Sequence, residues 1–381
     1  MTKYILQRIA FAILTLFIIS IFVYVLVAAF GNNPVNDLAQ AQFQASKKSG
    51  LTYTEILHKL EIENGLRYKD NPDILVPIIV RYGNYMKNIF TKGDFGFLYN
   101  PANNPNSALY TNMAKLFFTP LQYSLIITVP TFFISSILGI AIGVIAGYKR
   151  GKWFDVSSNV FVLIFVAIPS FILAPIVITI SVALGISSVV PRPGEQSFGV
   201  MFVSYLPPIF VMSITSLAGY VTYTRNQVIT VLTSNFVLIA KTKGLSSSQI
   251  FFKYVLRNIS IPLFSLVFGS FIGLLSGSII IEQYWQVPGT SQIIVNAFPT
   301  GEINVVMFST LFFTFISLIA NIIIDVSYAI LDPKIKYSTN SKRNYWLFFL
   351  AYRERSKLAK DLFKSQLINK ANQNTTVKGD N

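Results

Sequence analysis

Apolar residues along this chain gather into six long blocks, at about 9–30, 121–147, 156–185, 200–224, 259–281 and 304–331, with polar stretches between them. The shortest, about 22 residues, makes a helix of roughly 33 Å at ~1.5 Å per residue, enough to cross a ~30 Å hydrocarbon core. The longer blocks must tilt, kink or project beyond the bilayer. Pro130, Pro169, Pro175, Pro207, Pro208 and Pro262 lie within or at the ends of the blocks. Each reads equally as a kink whose freed carbonyl is met by a neighbouring helix and as plain helix geometry with no further role. The pattern predicts an all-α polytopic membrane protein with six transmembrane helices.

Composition strengthens that expectation. The chain has 381 residues, of which 52% are hydrophobic and only 12% charged, against roughly 25% charged in soluble domains. The net charge of +15 flanks the apolar blocks instead of forming a nucleic-acid patch. Cysteine is absent, which excludes disulfides, thiolate metal sites and cysteine nucleophiles. The single histidine, His58, reads as a surface residue.

The first block follows Lys3 and Arg8 but is about twice as long as the 7–15-residue core of a secretory signal, and no small-x-small site follows it. It reads as an uncleaved span. Lys149, Arg150 and Lys152 lie between the second and third spans; Arg225, Lys241, Lys243, Lys253 and Arg257 lie between the fourth and fifth, with no acid among them. The third-to-fourth loop has only Arg192 and the fifth-to-sixth loop has no basic residue. Positive charge on one side predicts a plasma-membrane protein with both termini cytoplasmic.

The divisions expected are a tail and first span at 1–30, an external segment at 31–120, a five-helix core at 121–331 containing a loop at 225–260, and a basic cytoplasmic tail at 332–381. Within the external segment, Ile56, Leu57 and Leu60 give helical spacing over Thr54–Leu66, consistent with a small subdomain. In the tail, Tyr345 to Leu350 lead into Arg353, Arg355, Lys357, Lys360 and Lys364. That suits an interfacial helix on an anionic leaflet, or equally a solvated helix packed on the protein. From about 370 the chain is polar and reads as disordered.

No Walker A loop occurs: Gly147-Tyr148-Lys149-Arg150-Gly151-Lys152-Trp153 has the wrong spacing and no Ser or Thr after the lysine. Asp325 is the one clear acid inside an apolar block, and near an interface it reads as structural before it reads as a proton relay. With no energy source in the chain, attention falls on 235–258. Helical spacing groups Phe236, Ala240 and Lys243; Gly244 permits a turn that a Cβ resists; Ser246 and Gln249 have capping-box spacing and start a second helix running to about Arg257. Two short helices about a glycine corner make a basic knob with apolar Leu245, Ile250 and Phe251, suited to docking into a cleft on another protein.

At these residues the chain resembles the permeases of ABC importers, in the B-type variant of the oligopeptide and dipeptide systems. Ala240, Gly244, Arg257-Asn258 and Ile261-Pro262 are similar to that family's coupling loop. The likeness continues through Gly93-Asp94-Phe95-Gly96, Leu138-Gly139 to Gly143, Gly151 to Asp155, Ile168-Pro169-Ser170-Phe171, Ile281-Glu282 with Val287-Pro288-Gly289, and Asp325 with Leu331-Asp332-Pro333-Lys334-Ile335. Leu238 and Ile239 depart from the first two positions of the loop's triad, and Gly301-Glu302-Ile303-Asn304 replaces an acidic-aromatic-proline sequence before the last span.

The resemblance implies the six-helix type I importer permease fold, with 31–120 as a small external insertion. It implies a subunit with no enzymatic activity and no cofactor. Its partners would be a second homologous permease, two ATPases and an extracytoplasmic binding protein, lipid-anchored if the cell has no outer membrane. The imported substrate would be an oligopeptide, with dipeptides, nickel chelates or oligosaccharides as alternatives. Ala240 and Gly244 would allow close packing at the ATPase joint, Leu245, Ile250 and Phe251 would supply apolar contact, and Lys241, Lys243 and Arg257 electrostatic fit. A secondary transporter and a membrane-anchored assembly protein are the rival classes.

Overall fold

A computed structural model describes residues 2–45, 51–192, 194–331 and 345–376. The described chain is helical; its one β-bridge pairs Arg67 with Leu75. α1 (Thr2–Phe30) is the first apolar helix. Three helices follow in the segment expected to be external: α2 (Asn36–Ala45), α3 (Tyr53–Glu63) and α4 (Ile78–Lys92). Val35, Ala39, Ile56, Leu60 and Leu66 form a small core there. α3 starts at a full capping box between Thr52 and Glu55. The buried Glu61 carboxylate accepts from Asn33 Nδ2 and pairs with Arg67. His58 sits half-buried in α3. α4, which the apolar blocks do not reveal, packs Tyr82 and Tyr85 against Tyr24 of α1.

α5 (Met113–Tyr148) and α8 (Phe198–Leu232) make the most extensive helix contact in the molecule. The cause is a ladder of glycines one turn apart. A Cβ on Gly139 would lie 2.5 Å from Tyr220 Cβ; on Gly143, 2.7 Å from Thr224 Cβ and 2.8 Å from the Val221 carbonyl; on Gly147, 2.7 Å from Val228 Cβ. Without a hydrophobic drive between helices in lipid, such close backbone approach is what holds two spans together.

The third apolar block is not one straight helix. α6 (Trp153–Ala167) and α7 (Ser170–Ala183) meet at 98° across Ile168-Pro169. Pro169 cannot donate to the turn before it, and it holds Ile168 extended (φ −93°, ψ 110°). The pair nevertheless advances along α8. Asp155 reaches Arg225, Val162 shares a cluster with Leu217, Ala218 and Val221, and Ala174 one with Tyr205, Val211 and Met212. Tyr205 to Arg225 is about 30 Å of helix, so we read the pair as one broken span. With the five long apolar helices it makes six among the described residues.

At its start α6 is fastened by charge. Arg225 Nε and Nη2 donate to Asp155 at 2.5 and 2.9 Å, and Gly151 N and Asn159 Nδ2 donate to the same carboxylate. Asp155→Asn strands an arginine whose side chain is only 20% exposed and should cost about 3 kcal/mol. The reading is a lower melting temperature in detergent, partly restored by adding Arg225→Gln. An unchanged melt in Asp155→Asn would remove the pair from the structural account.

The last helices are α9 (Asn235–Thr242), α10 (Ser247–Ile250), α11 (Leu256–Gly277), α12 (Ile279–Tyr284), α13 (Thr290–Ala297) and α14 (Ile303–Leu331). α14 packs on α1, where Arg8 Nε lies 3.1 Å from Asp325; that pairing fits a structural role for the acid. At the other end of α14, Glu302 is buried and accepts from Tyr99 N, Asn100 N and Asn103 Nδ2 at 2.7–2.9 Å. Burial holds its carboxyl above the usual carboxylate range, and the three donors pull only part of the way back. The folded form therefore binds that proton more tightly than the unfolded chain, so acidification through the raised pKa favours the fold.

The Gly93-Asp94-Phe95-Gly96 turn closes onto the same place. Gly96, with φ +71°, lies so close to Asn304 that a Cβ would be 2.6 Å from Nδ2; Phe95 meets Phe308 edge to face at 5.0 Å. The segment Asp332-Pro333-Lys334-Ile335 lies outside the described residues. The basic tail forms a unit of its own, with helix α15 (Tyr345–Thr376) continuing past the point near 370 where disorder was expected. Its apolar residues collect at the start, Phe348 and Phe349 among them, and Leu358, Leu362 and Phe363 are exposed.

Candidate functional site: a helix–glycine–helix knob

α5 runs about 54 Å from the 94–112 segment to the knob between α8 and α11, so the knob and the small subdomain are at opposite ends of the bundle. α9 presents Val237 and Ala240 inward, both buried, into a cluster with Val228, Val231, Ile250, Val255, Ile259 and Leu263. The i, i+3 pair of small and β-branched residues lets α9 lie flat against the end of α8. Gly244 ends it with φ +78°, and its amide donates to the carbonyl of Lys241 at 3.0 Å. Nothing lies within 4 Å of a Cβ placed there. The glycine is therefore needed for backbone sign, not for space.

The capping box forms in both directions: Gln249 N donates to Ser246 Oγ at 3.3 Å, and Ser246 N to Gln249 Oε1 at 2.9 Å. The second helix does not stop near Arg257. α10 passes through a π-helical turn, Phe251–Val255, directly into α11 and thus into the fifth span. A π turn inserts one residue into the helical register and is a frequent mark of functional sites. Here it rotates the knob's capped turn relative to the span that carries it.

Of the expected contact residues, Lys241, Lys243, Gly244 and Arg257 are exposed, while Leu245 and Phe251 are half-buried, with Phe251 edge-on to Tyr148 at 5.9 Å. Ala240 is buried in the knob's own core, packed with Val237 and Ile250. Ile250 is buried in the knob's interior, so it holds the two helices together and cannot meet a partner. Phe236, grouped with Ala240 by spacing, is 42% exposed and stacks on Tyr254 at 6.3 Å. The apolar surface of the knob is instead Leu238, Ile239 and Phe252, at 49, 55 and 66% exposure. The sequence marks the first two only as departures from the family and gives Phe252 no distinction. A signal exists all the same: Leu238 and Ile239 fall on the side of α9 that Val237 and Ala240 leave outward. Lys253, next to Phe252 in the sequence, is exposed as well, so the knob's surface carries both apolar and cationic side chains.

Known proteins are similar to this chain over most of its length. A family profile described as "Binding-protein-dependent transport system inner membrane component" matches residues 139–337, a stretch that includes the glycine ladder, the broken span and the knob. The oligopeptide transport system permease protein OppB of Mycoplasma genitalium is 30% identical over 352 residues, 90% of this chain and 78% of that protein. OppB of Haemophilus influenzae is 30% identical over 264 residues, covering 68% of this chain and 81% of that one. Among solved structures, a chain of the MetNI methionine ABC transporter in an inward-facing form superposes with TM-score 0.44 at 18% identity, covering 58% of this chain and 98% of that one.

Proposed function

This chain belongs to the binding-protein-dependent transport system inner membrane components, and from that membership we propose that it is the B-type permease subunit of an ATP-driven oligopeptide importer. As a member of that family it is a multi-pass membrane permease subunit and not itself an enzyme. The oligopeptide substrate follows from the names of its relatives. A second permease, two ATPases and an extracytoplasmic binding protein complete the assembly. The knob faces the cytoplasm with both termini, and the 31–112 subdomain faces outward, as the distribution of Lys and Arg requires.

The observation that carries the coupling role is the exposure of Leu238, Ile239 and Phe252 on a knob whose own core is closed. Apolar side chains exposed on a cytoplasmic knob are suited to cover by a partner protein, and basic residues of the knob supply steering toward an acidic rim. ATPase closure would move the knob, and the continuous α10–π–α11 rod would carry the displacement into the fifth span. Leu238→Asp with Phe252→Asp should abolish copurification with the ATPases while leaving the melting temperature of the permease within a few degrees, because neither side chain is part of the core. Retained copurification and uptake in that double variant would place the ATPase contact elsewhere.

A further inference from the structure

At the end of the bundle away from the knob, the 98–110 segment, the start of α5, Arg192 and the Pro288–Thr300 stretch enclose a crevice of about 650 Å³, within the ~300–1,000 Å³ of ligand pockets. Its walls are apolar at Leu98, Leu109 and Ile293. Its polar groups include the carboxamides of Asn106, Gln292 and Asn296, the last two one turn apart on α13, alongside Asn103, Tyr110, Tyr123 and Thr300. A carboxamide both donates and accepts, as a peptide group does, so such a set pairs with main chain whatever the side chains are.

Charge adds direction. The one lining acid, Glu302, turns its carboxylate to the amides of Tyr99 and Asn100 and to Asn103, so it offers little to a ligand. The one lining cation, Arg192, is exposed and close enough to act electrostatically on the Tyr110 hydroxyl. The crevice therefore favours an anionic group at the Arg192 end and extended main chain along α13.

We propose that this crevice is an entry site for peptide main chain, in which Asn106, Gln292 and Asn296 pair with peptide groups and Arg192 takes the C-terminal carboxylate. The inference rests on the oligopeptide reading above and adds which end of the substrate this subunit recognises. Arg–carboxylate pairing is charge-assisted and orienting, whereas the carboxamides are indifferent to sequence, a combination suited to a route that accepts varied side chains.

The test uses the complete transporter in proteoliposomes with ATP and its binding protein, and one peptide made as free acid and as C-terminal amide. Each variant is compared with wild type for each peptide separately. Arg192→Gln should lower free-acid uptake about tenfold, the loss of one charge-assisted pair, and amide uptake less than twofold. Gln292→Leu with Asn296→Leu should lower both about equally. Anisotropy of the same two peptides, N-terminally labelled, on the permease–ATPase complex without binding protein should give the same ordering, so a binding protein that rejects the amide does not hide the effect. Equal losses for acid and amide in Arg192→Gln would mark Arg192 as a binding-protein contact and overturn the proposal, as would no loss for either. A wild-type transporter that moves neither peptide, with its binding protein docked and its ATPases active, sinks the oligopeptide reading itself.

Discussion

Gly143→Leu should yield no folded permease. The Cβ alone would meet the Val221 carbonyl at 2.8 Å and Arg225 N at 3.1 Å, and these are backbone atoms that cannot swing aside. Even Gly143→Ala forces the two longest helices apart locally, an overpacking cost of about 1–3 kcal/mol. A leucine would have to separate α5 from α8 along the ladder, dismantling the contact on which α6 and α7 are also laid. The measurement is monodisperse yield after detergent extraction. Gly219→Ala is the control: it is a glycine in the facing helix α8, but nothing lies within 4 Å of a Cβ placed there, and alanine improves helix propensity by ~1 kcal/mol. If Gly143→Leu were as abundant and monodisperse as Gly219→Ala, the close helix approach would be refuted.

The second large effect is at Gly244, for a different reason. Its surroundings are open, so substitutions there should rank by tolerance of positive φ and not by size. Gly244→Asn, which visits that region readily, should keep most uptake. Gly244→Ala should lose about 1–2 kcal/mol of local stability, seen as several-fold lower uptake. Gly244→Val should abolish uptake while the spans still melt normally, because the knob's corner opens without disturbing the ladder. Asn behaving like Val would mean that the ATPase needs a bare backbone at this point, and conformation would no longer explain the glycine.

These two glycines show what was legible in the sequence. Apolar blocks located every span, because lipid demands roughly twenty apolar residues whatever the fold. The ladder of Gly139, Gly143 and Gly147 was not read as a close approach, since nothing local encodes which helix supplies the facing groove. Pro169 reads in the sequence equally as a kink and as plain helix geometry; the 98° break depends on how α6 and α7 each find a seat on α8. The knob's corner and capping box were readable because both are local hydrogen-bond patterns. Its surface was read less well: Ile250 looked like contact and is core, because the glycine corner folds α10 back so that Ile250 joins the cluster of Val237 and Ala240. α4 went unseen inside a mixed-charge segment, although Ile78, Tyr82, Tyr85, Met86 and Ile89 keep helical spacing.

The Glu302 latch has a consequence for how the chain is made. Tyr99 and Asn100 precede the carboxylate that receives their amides by 203 and 202 residues. They therefore leave the ribosome long before their acceptor exists. Through that interval those N–H groups need water or another part of the chain as acceptor, since hydrocarbon offers none. The 97–104 turn therefore gains its Glu302 partner only when the last span has been made. Order of synthesis thus makes this latch a late event, and the final helix, once inserted, fixes in place a loop made long before it.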